Sequence, residues 1–466
     1  MESFDTVVVG SGPGGYVAAI RLGQLGVKTA IIEKGELGGV CLNWGCIPSK
    51  AYINAAKVIE HIETAAEIGI SASKPTVDLA KMKTWKDGIV TKLTGGIGFL
   101  LEKNGVTIIK GEASFKNDST LIVKGKETKE LRFKNAIVAT GSRSTEIPPF
   151  PFDGEFVLTS RHMLALTKVP KDLVVVGGGV IGLEIGMFMN KFGSKVTVLE
   201  MTKQVLPGID PEIVKVLVRK LKKRGIKVMT ETKALGFEGK AGKLKVRAED
   251  KKGKVHEIPA EKILVSVGRR PNSENIGLEK VGIKLDAQGF ITVDAQLKTS
   301  NPKIFAIGDV AGGALLAHKA SKEGLVAAAV ISGKNEIYDV RVMPAAVFTD
   351  PEIATAGLTE AEAKAAGHKV RVGSFPYSAL GKAMAVRETE GFVKMVADAD
   401  SDRVLGVHII GYEASNLISE AALAIEMGAC VEDIALTVHP HPTIGESMME
   451  AAEAVHGHAI HIYNPK

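Results

Sequence analysis

Short apolar runs alternate with helical apolar patterns along the first two thirds of the chain. The run at residues 4–9 is followed by a glycine-rich turn, an apolar-periodic helix that includes Ile20 and Leu22, and a second apolar run that ends on Glu33. The same order returns at residues 173–200, where the second run ends on Glu200. This alternation predicts two α/β units, each built on a parallel sheet.

The last third of the chain has a different pattern. Runs at residues 391–396 and 404–410 alternate as strands do and are followed by helical stretches, with no third glycine-rich turn. They predict an antiparallel sheet in an α+β domain. The predicted fold class is therefore α/β, with two Rossmann-like dinucleotide-binding domains and a C-terminal α+β domain.

The two glycine-rich turns have the spacing of dinucleotide-binding sites. The first glycine of such a turn allows a tight bend, the second lets the pyrophosphate approach the backbone, and the third lets the helix pack on the strand. The helix N-terminus then faces the pyrophosphate, and the acid accepts hydrogen bonds from ribose hydroxyls. One turn alone is weak evidence, but both copies place the acid 23 residues after the first glycine (33 − 10 and 200 − 177). Two sites are predicted, at Gly10, Gly12, Gly15 and Glu33, and at Gly177, Gly179, Gly182 and Glu200.

Glu200 also indicates which nicotinamide dinucleotide binds. A carboxylate at this position hydrogen-bonds the 2′-hydroxyl of NAD and repels the 2′-phosphate of NADP. An NADP site favours a nearby arginine, whereas Met201 and Thr202 follow here. Lys203 is the one nearby basic residue that argues for NADP, but NAD is the expected dinucleotide.

Two cysteines follow the first unit. On a regular helix Cys41 and Cys46 would point about 140° apart, so the backbone between them must depart from the helix if they are to pair. Gly45 tolerates unusual dihedral angles, and Pro48 suits the first turn of a helix. The pair is therefore predicted at a distorted helix start, where the helix dipole lowers a thiol pKa, with Lys50 on the same helix face as Cys46.

The alternatives for these cysteines are a metal site or a structural disulfide. The chain has only three cysteines, and the third, Cys430, lies far away in an Ala-rich stretch where a small buried hydrophobe is expected. A bond that closes so short a loop contributes little entropy. A redox-active pair without metal is the favoured interpretation.

Composition and charge restrict the class of protein. At 466 residues, with 45% apolar and 24% charged residues, the chain is expected to form about three globular domains. The net charge is +6, and its densest basic stretch, residues 219–224, has helical apolar spacing and no aromatic residues, which favours a solvated helix face over a nucleic-acid site. No signal peptide or membrane-spanning run is evident, so the expected location is the bacterial cytoplasm, or an organelle matrix after processing.

Further motifs give a family resemblance. They lie at residues 139–141, 267–272, 304–309 and 439–446. With the glycine turns and the cysteine pair, they make the chain resemble the pyridine nucleotide-disulfide oxidoreductases over essentially its full length. Residues 42–50 and 316–320 are most similar to the members that oxidise dihydrolipoamide, although Val40, Trp44 and Gly445 depart from the common pattern.

The resemblance implies a domain order and an assembly. The expected ranges are 1–145 for the first FAD-binding segment, 146–272 for the NAD-binding domain, 273–343 for a central segment that completes the FAD domain, and 344–466 for the dimer interface. It also implies a homodimer that oxidises dihydrolipoyl groups with FAD and NAD. The expected partner is the dihydrolipoyl domain of an acyltransferase (the E2 component) or the glycine-cleavage carrier protein.

The resemblance assigns roles to individual residues. It implies that Cys41 is attacked by substrate, that Cys46 faces the flavin, that His441 is the general base and that Glu446 orients it, whereas His439 is structural. Lys50 and Glu184 are expected to pair near the flavin and nicotinamide. The expected cofactor residues are Gly10, Gly12, Gly14, Gly15, Glu33, Lys50, Thr140, Gly141, Gly308 and Asp309 for FAD, and Gly177, Gly179, Gly182, Glu200 and Gly268 for NAD.

Two other functions remain open at this point. The protein could act mainly as a docking component of a 2-oxo acid dehydrogenase complex, which is compatible with catalysis. Glutathione reductase is the other alternative, and Glu200 disfavours it because that position predicts NAD.

Overall fold

The computed structural model describes residues 2–240 and 243–464. Its first part is a mixed sheet with helices packed on it. The elements in chain order are β1 (Glu2–Val9), α1 (Pro13–Gln24), β2 (Thr29–Glu33), α2 (Gly39–Trp44), α3 (Cys46–Thr64), α4 (Leu79–Lys103), β3 (Thr107–Lys110), β4 (Glu112–Asn117), β5 (Thr120–Lys124) and β6 (Thr128–Val138). The strand order is β3-β2-β1-β6-β5-β4, with β1 parallel to β2 and β6. Parallel strands covered on both faces need continuous apolar runs, and the side chains of residues 7 and 8 in β1 are fully buried.

The second part repeats this plan. Its elements are β7 (Ser142–Ser144), β8 (Val157–Leu158), α5 (Ser160–Met163), β9 (Asp172–Val176), α6 (Val180–Phe192), β10 (Lys195–Leu199), α7 (Pro211–Lys223), β11 (Lys227–Met229), β12 (Thr232–Glu238), β13 (Leu244–Asp250), β14 (Val255–Ala260), β15 (Lys262–Val265) and β16 (Arg269–Pro271). A parallel sheet runs β11-β10-β9-β15-β8, while β12-β13-β14 form an antiparallel sheet and β16 pairs with β7.

The chain then returns to the first sheet. Strand β17 (Ile304–Ala306) pairs in parallel with the end of β6, and Ile304 lies opposite Ala136. Helix α8 (Ala317–Ile331) follows and packs on α1. The first sheet therefore combines strands from widely separated parts of the sequence.

The C-terminal part is an antiparallel sheet with helices. It consists of β18 (Ala345–Val347), β19 (Glu352–Gly357), α9 (Glu360–Ala365), β20 (Val370–Pro376), α10 (Gly381–Ala385), β21 (Phe392–Asp398), β22 (Val404–Gly411), α11 (Ala414–Met427), α12 (Val431–Leu436) and α13 (Glu446–Val455). The strand order is β18-β19-β22-β21-β20, and every neighbouring pair is antiparallel. The predicted fold class, with two α/β units followed by an α+β unit, is confirmed. Among the helices of the described residues, none has the length and apolar character needed to cross a membrane.

The basic stretch at residues 219–224 is less solvated than predicted. Helix α7 buries its apolar face as expected, but the side chains of Lys220 and Arg224 are only 16% and 10% exposed. Arg224 pairs with Glu60 at 2.5 Å and also with Asp350, and Lys220 lies 3.0 Å from Glu390. The prediction of a solvated face is wrong for these two residues, because their acidic partners come from distant segments.

Cys430 is also placed differently from the prediction. It is half-buried and occupies the N-cap position of α12 instead of a buried position inside a helix. Its backbone N–H donates to Asp433 Oδ2 at 2.8 Å. The Ala-rich pattern predicted the neighbouring helix, α11, but it did not indicate that the helix ends at Met427, before the cysteine.

Candidate active site

Cys41 and Cys46 lie on two consecutive helices. Cys41 is in α2, Cys46 is the first residue of α3, and Gly45 between them has a conformation that is neither helical nor extended. A Cβ atom at Gly45 would lie 2.8 Å from Val40 O and 3.2 Å from the Cα of Cys41. The chain therefore folds back tightly over Cys41, as the predicted distortion between the cysteines requires.

Both cysteines are free thiols, and the surroundings make them unequal. The hydrogen bond from the Cys41 thiol lowers the pKa of the Cys46 thiol to about 7 and outweighs the opposite effect of burial. The Lys50 ammonium lowers the pKa of Cys46 as well, whereas the hydrogen bond to Cys46 raises the pKa of Cys41. Cys46 is therefore the sulfur that carries negative charge near neutral pH.

Lys50 forms an ion pair with Glu184 of α6. Its Nζ lies 3.0 and 2.9 Å from the two carboxylate oxygens, and Glu184 is buried. Phe348 supports the pair in two ways. Its backbone N–H donates to Glu184 Oε1 at 2.9 Å, and its ring centroid lies 4.3 Å from Lys50 Nζ. The structure thus brings Cys46, Lys50 and Glu184 together, and adds Phe348 from the C-terminal part.

His441 and Glu446 form a second pair at the start of α13. His441 Nδ1 lies 2.8 Å from Glu446 Oε1, and the histidine side chain is 78% exposed. Burial raises the pKa of Glu446, but the Thr443 N–H and His441 lower it more, so the net shift is downward. A carboxylate can only accept, so Nδ1 carries the proton and the lone pair of Nε2 points away from Glu446.

His439 has a different environment from His441. Its side chain is 6% exposed, its Nδ1 lies 2.8 Å from Thr437 O, and its Nε2 lies 2.9 Å from Glu420 Oε1. Both partners only accept hydrogen bonds, so both nitrogens must donate. The hydrogen bond to Glu420 raises the pKa of His439 accordingly. This doubly bonded imidazolium fits the structural role expected for His439.

The first glycine turn leaves an open space in front of α1. A Cβ at Gly15 would lie 1.9 Å from Gly10 O, so only glycine permits this packing of helix on turn. A Cβ at Gly12 would meet no atom within 4 Å, and α1 has neither a side-chain cap nor an acid in its first turn. Gly14 faces α8 instead, because its Cβ would lie 3.0 Å from Ala320 O. The N–H groups of this helix end are therefore available to an anion.

The second glycine turn repeats this geometry at α6. A Cβ at Gly182 would lie 2.3 Å from Gly177 O, while Gly179 faces open space and α6 also lacks a side-chain cap. Glu200 Oε2 accepts the Gly178 N–H at 2.7 Å, and Oε1 accepts the Thr202 N–H at 2.8 Å. These bonds hold the carboxylate in one orientation at the end of its strand.

Glu33 is held in the same way in the first unit. Its Oε2 accepts from the N–H and hydroxyl of Ser11 at 2.9 and 2.7 Å, and its Oε1 accepts the Gly35 N–H at 2.6 Å. A carboxylate offers about four lone-pair positions, so capacity for a ribose hydroxyl remains.

Asp309 follows Gly308 in the short turn after β17. The Ser142 hydroxyl donates to Asp309 Oδ2, and Arg269 Nε donates to Ser142 Oγ at 2.7 Å. Gly141 lies immediately before Ser142, so two of the predicted segments meet here. The carboxylate of Asp309 is thus held by the segments at residues 142 and 269.

Thr140 and Gly268 lie where the first and second parts of the chain join. Thr140 Oγ1 donates to Asn272 O at 2.7 Å, and Asn272 Nδ2 donates back to Thr140 O at 2.9 Å. Gly268 O accepts the Thr145 N–H at 3.0 Å. The predicted residues Thr140 and Gly268 therefore hydrogen-bond the segment at residues 140–145 to the segment at residues 268–272.

The matches to protein families follow this geometry. Residues 4–324 match the pyridine nucleotide-disulphide oxidoreductase family, and residues 343–452 match the dimerisation domain of that family. The chain belongs to the pyridine nucleotide-disulphide oxidoreductases. Members of this family pair through the dimerisation domain, so the chain forms a homodimer.

Individual relatives align along the whole chain. The dihydrolipoyl dehydrogenase of Thermus scotoductus is 49% identical over 466 residues and 100% of both chains, and that of Geobacillus stearothermophilus is 49% identical over 98% of this chain and 97% of its own. Among solved structures, LpdA from Mycobacterium tuberculosis is 27% identical, with a TM-score of 0.89 over 97% of this chain and 99% of that one. The HOCl-induced flavoprotein disulfide reductase RclA from Escherichia coli is 25% identical, with a TM-score of 0.87 over the same shares.

The cofactors of the family are FAD and NAD, and the two glycine turns fit them. Each turn presents uncapped N–H groups to open space, and each ends near a fixed carboxylate, Glu33 or Glu200. Within the described residues, no group of three or more His, Cys, Asp or Glu side chains is arranged to hold a metal ion.

Sequence reasoning missed several side chains of the site. Phe348 and Ser142 contact predicted residues, yet no local pattern marks them, because each comes from a different segment. Arg269 lies in the motif at residues 267–272, but that motif gave it no predicted contact. Ser11 lies in the first glycine turn, and Thr202 lies two residues after the strand-end acid Glu200. A hydroxyl residue at such a position is a sequence signal for a carboxylate that is fixed by hydrogen bonds. Trp44, which departs from the common pattern, stacks under the Arg161 guanidinium at 4.2 Å.

Proposed function

We propose that this chain oxidises dihydrolipoyl groups to the cyclic disulfide and reduces NAD⁺ to NADH. The balanced reaction is dihydrolipoamide + NAD⁺ → lipoamide + NADH + H⁺. The observation that carries the proposal is the thiol pair, in which Cys46 has a lowered pKa beside the Lys50–Glu184 ion pair. The alignment with dihydrolipoyl dehydrogenases along the whole chain supports this substrate.

His441 is the general base of the reaction. Its Nδ1 proton is bound by Glu446, so the Nε2 lone pair takes the proton of a substrate thiol. The thiolate is the species that attacks a disulfide. Glu446 holds the tautomer and stabilises the imidazolium that forms, as the acid of a catalytic triad does.

The substrate thiolate attacks Cys41 in the oxidised, disulfide form of the pair. The bond between substrate sulfur and Cys41 forms, the Cys41–Cys46 bond breaks, and Cys46 leaves as a thiolate. The lowered pKa of Cys46 makes it the better leaving group of the two. The second substrate thiol then loses its proton and displaces Cys41, which closes the substrate disulfide and leaves the protein dithiol.

The electrons of the dithiol have to reach NAD⁺. Bound FAD would supply the two-electron transfer between the dithiol and NAD⁺. Lys50 places a positive charge beside Cys46, and Glu184 of α6 holds that ammonium in position. We assign FAD contacts to Gly10, Gly12, Gly14, Gly15, Glu33, Lys50, Thr140, Gly141, Gly308 and Asp309, and NAD contacts to Gly177, Gly179, Gly182, Glu200 and Gly268.

The active site is shared between the two subunits. The segment before His441 exposes apolar side chains in the single chain, with Leu436 74% and Val438 92% exposed. Large exposed apolar residues next to a catalytic histidine support a covering second subunit. His441 and Glu446 of one subunit then serve the cysteines of the other.

The proposal extends to the partner, the location and the domain division. The substrate dithiol is carried by the dihydrolipoyl domain of an acyltransferase or by the glycine-cleavage carrier protein, in the bacterial cytoplasm or an organelle matrix. The domains are residues 1–145, 146–272, 273–343 and 344–466. The pairing of β17 with β6 supports assigning the third range to the FAD-binding unit.

The deciding assay is the initial rate of NAD⁺ reduction by dihydrolipoamide. NADP⁺ and reduced glutathione are run beside it, with the Cys41→Ser protein as the blank. We expect a rate that requires both NAD⁺ and dihydrolipoamide and is absent in the blank. A protein that binds FAD but reacts no faster than the blank would refute the proposal that dihydrolipoamide is the substrate.

The shared site is tested with two inactive variants. Cys41→Ser and His441→Ala should each abolish turnover, because each lacks one half of the site, while both keep FAD. A mixed dimer contains one site with both functional halves, so mixing and refolding the two variants should restore part of the activity. If every mixed sample stays inactive, the shared site is wrong.

A further inference from the structure

A buried ion pair on α8 lies behind the turn that carries Asp309. Lys319 Nζ is 2.6 Å from Glu323 Oε1, and the two side chains are 8% and 5% exposed. The residues are four apart, so they face the same side of the helix. Removing two charges from water is costly, and such a pair persists where further hydrogen bonds use its remaining atoms.

Glu323 uses its second oxygen to hold the backbone of the turn. Its Oε2 accepts the Gly308 N–H at 2.7 Å. Gly308 has φ +71°, in the left-handed region, and its neighbour Asp309 projects from the same turn. The Ser142 hydroxyl donates to the Asp309 carboxylate. The position of Asp309 is therefore fixed by Glu323 through the backbone and by Ser142 through the side chain.

Lys319 Nζ is buried and, within the described residues, its one polar contact is the ion pair with Glu323. Burial raises the pKa of Glu323, and the Lys319 ammonium acts against that rise. The lysine thus favours the ionised carboxylate, which is the stronger acceptor for the Gly308 N–H.

The same helix is locked against the first glycine turn. A Cβ at Gly324 would lie 2.7 Å from Gly14 O, and a Cβ at Gly14 would lie 3.0 Å from Ala320 O. This close contact sets the position of α8 relative to α1, whose N-terminus faces the open space described above. Helix α8 therefore contacts both α1, whose N-terminus is at Gly12, and, through Glu323, the turn that carries Asp309.

We propose that Lys319 and Glu323 are positioning residues for FAD. Glu323 holds the Gly308–Asp309 turn in the orientation that receives the cofactor, and Lys319 supplies the counter-charge of the buried carboxylate. The inference rests on the proposed contact between Asp309 and FAD. It assigns a cofactor-positioning role to two residues that touch neither the substrate nor the redox pair.

The test compares FAD affinity in matched variants. Apo-protein of the wild type and of Glu323→Ala, Glu323→Gln and Lys319→Met is titrated with FAD, and flavin fluorescence reports the dissociation constant. Glu323→Ala removes the acceptor of the Gly308 N–H and should weaken FAD binding about tenfold or more. Glu323→Gln keeps an acceptor and Lys319→Met removes only the counter-charge, so both should weaken binding by a smaller factor.

Lys394→Met is the control for loss of a buried lysine. Lys394 is 5% exposed and pairs with Asp210 at 3.0 Å, between β21 and the start of α7. The Lys394→Met substitution should lower the unfolding temperature, while FAD affinity stays within about twofold of wild type. That difference is well under the tenfold that corresponds to 1.4 kcal/mol. The unfolding temperature of each apo-protein is measured alongside.

Two results would overturn the inference. One is a Glu323→Ala protein with the FAD affinity of the wild type; the other is an equal loss of affinity in Lys394→Met, which would reduce the pair to a general effect on stability. If Glu323→Ala does not fold, the FAD affinities of Glu323→Gln and Lys319→Met are compared with those of the wild type and Lys394→Met and decide the inference in the same way. Failure of the wild type itself to bind FAD would instead refute the proposed function, because no dithiol substrate enters this experiment.

Discussion

Replacing Asp350 by Asn removes one acid from a buried cluster where α3, α7 and the C-terminal part meet. Asp350 and Glu60 both contact the Arg224 guanidinium, so a protonated Asp350 can donate to Glu60. Burial, followed by the bond to Glu60, raises the pKa of Asp350 from its ordinary value of 3.8 to about 6. Burial likewise raises the pKa of the neighbouring Glu388 to about 7.

The sign and size of the effect follow from that pKa. The folded protein binds the Asp350 proton more tightly than the unfolded chain does, so the stability contributed by this group is complete below about pH 4 and is lost as pH rises through about 6. A pKa difference of about two at 1.36 kcal/mol each gives about 3 kcal/mol at most. Asparagine does not titrate, so the free energy of unfolding of Asp350→Asn, relative to wild type, should rise by up to about 3 kcal/mol between pH 4 and pH 7.

The assay is guanidinium unfolding at several pH values, with FAD concentration held constant. Glu60→Gln is the informative comparison, because burial raises the pKa of Glu60 but Asp350 and Arg224 outweigh burial and lower it to about 2. That carboxylate stabilises the fold above about pH 4.5 and loses its contribution as pH falls, so Glu60→Gln should be destabilised at neutral pH. A stability difference between Asp350→Asn and wild type that is independent of pH, or that becomes less favourable as pH rises, would refute the reasoning.

Three further predictions concern the active site. Gly15→Ala places a Cβ 1.9 Å from Gly10 O, so FAD binding should be lost, and an alanine variant purified with a full complement of FAD would contradict this. Lys50→Met should raise the pKa of the Cys46 thiol above about 7, because the ammonium that lowers it is gone; ultraviolet thiolate absorbance of the reduced protein against pH measures the shift, and an unchanged titration would count against it. Glu200→Ala should raise the KM for NAD⁺ by about 10- to 100-fold, the value of a charge-assisted hydrogen bond, with kcat little changed. Kinetics with NAD⁺ and NADP⁺ test this. An unaltered preference for NAD⁺ over NADP⁺ would exclude Glu200 as the residue that discriminates between them.

Features that depend on neighbouring residues could be predicted from the sequence. The glycine turns, the strands that flank them and the break at Gly45 are local consequences of backbone geometry. The position of Lys50 one turn after Cys46 also follows from short spacing, whereas the roles of His441 and Glu446 were implied by the family resemblance. The structure places these residues as that spacing requires.

Features that depend on distant segments could not be predicted. Arg224 resembles an ordinary solvated helix residue until Glu60 and Asp350 are brought beside it by the fold. The support of Glu184 by Phe348 joins residues 164 positions apart (348 − 184). A single sequence without a contact map carries no signal for either, because both contacts depend on how separate elements pack.

The pairing of β17 with the end of β6 also sets an order of events during synthesis. The first sheet has seven strands, and its last strand begins 166 residues (304 − 138) after β6 ends. The whole second sheet is translated within that interval. A nascent chain therefore presents an unpaired strand edge at residues 136–138 until Ile304 emerges, and such edges attract other strands. The newly made chain should depend on chaperones most strongly while the ribosome is between these two points.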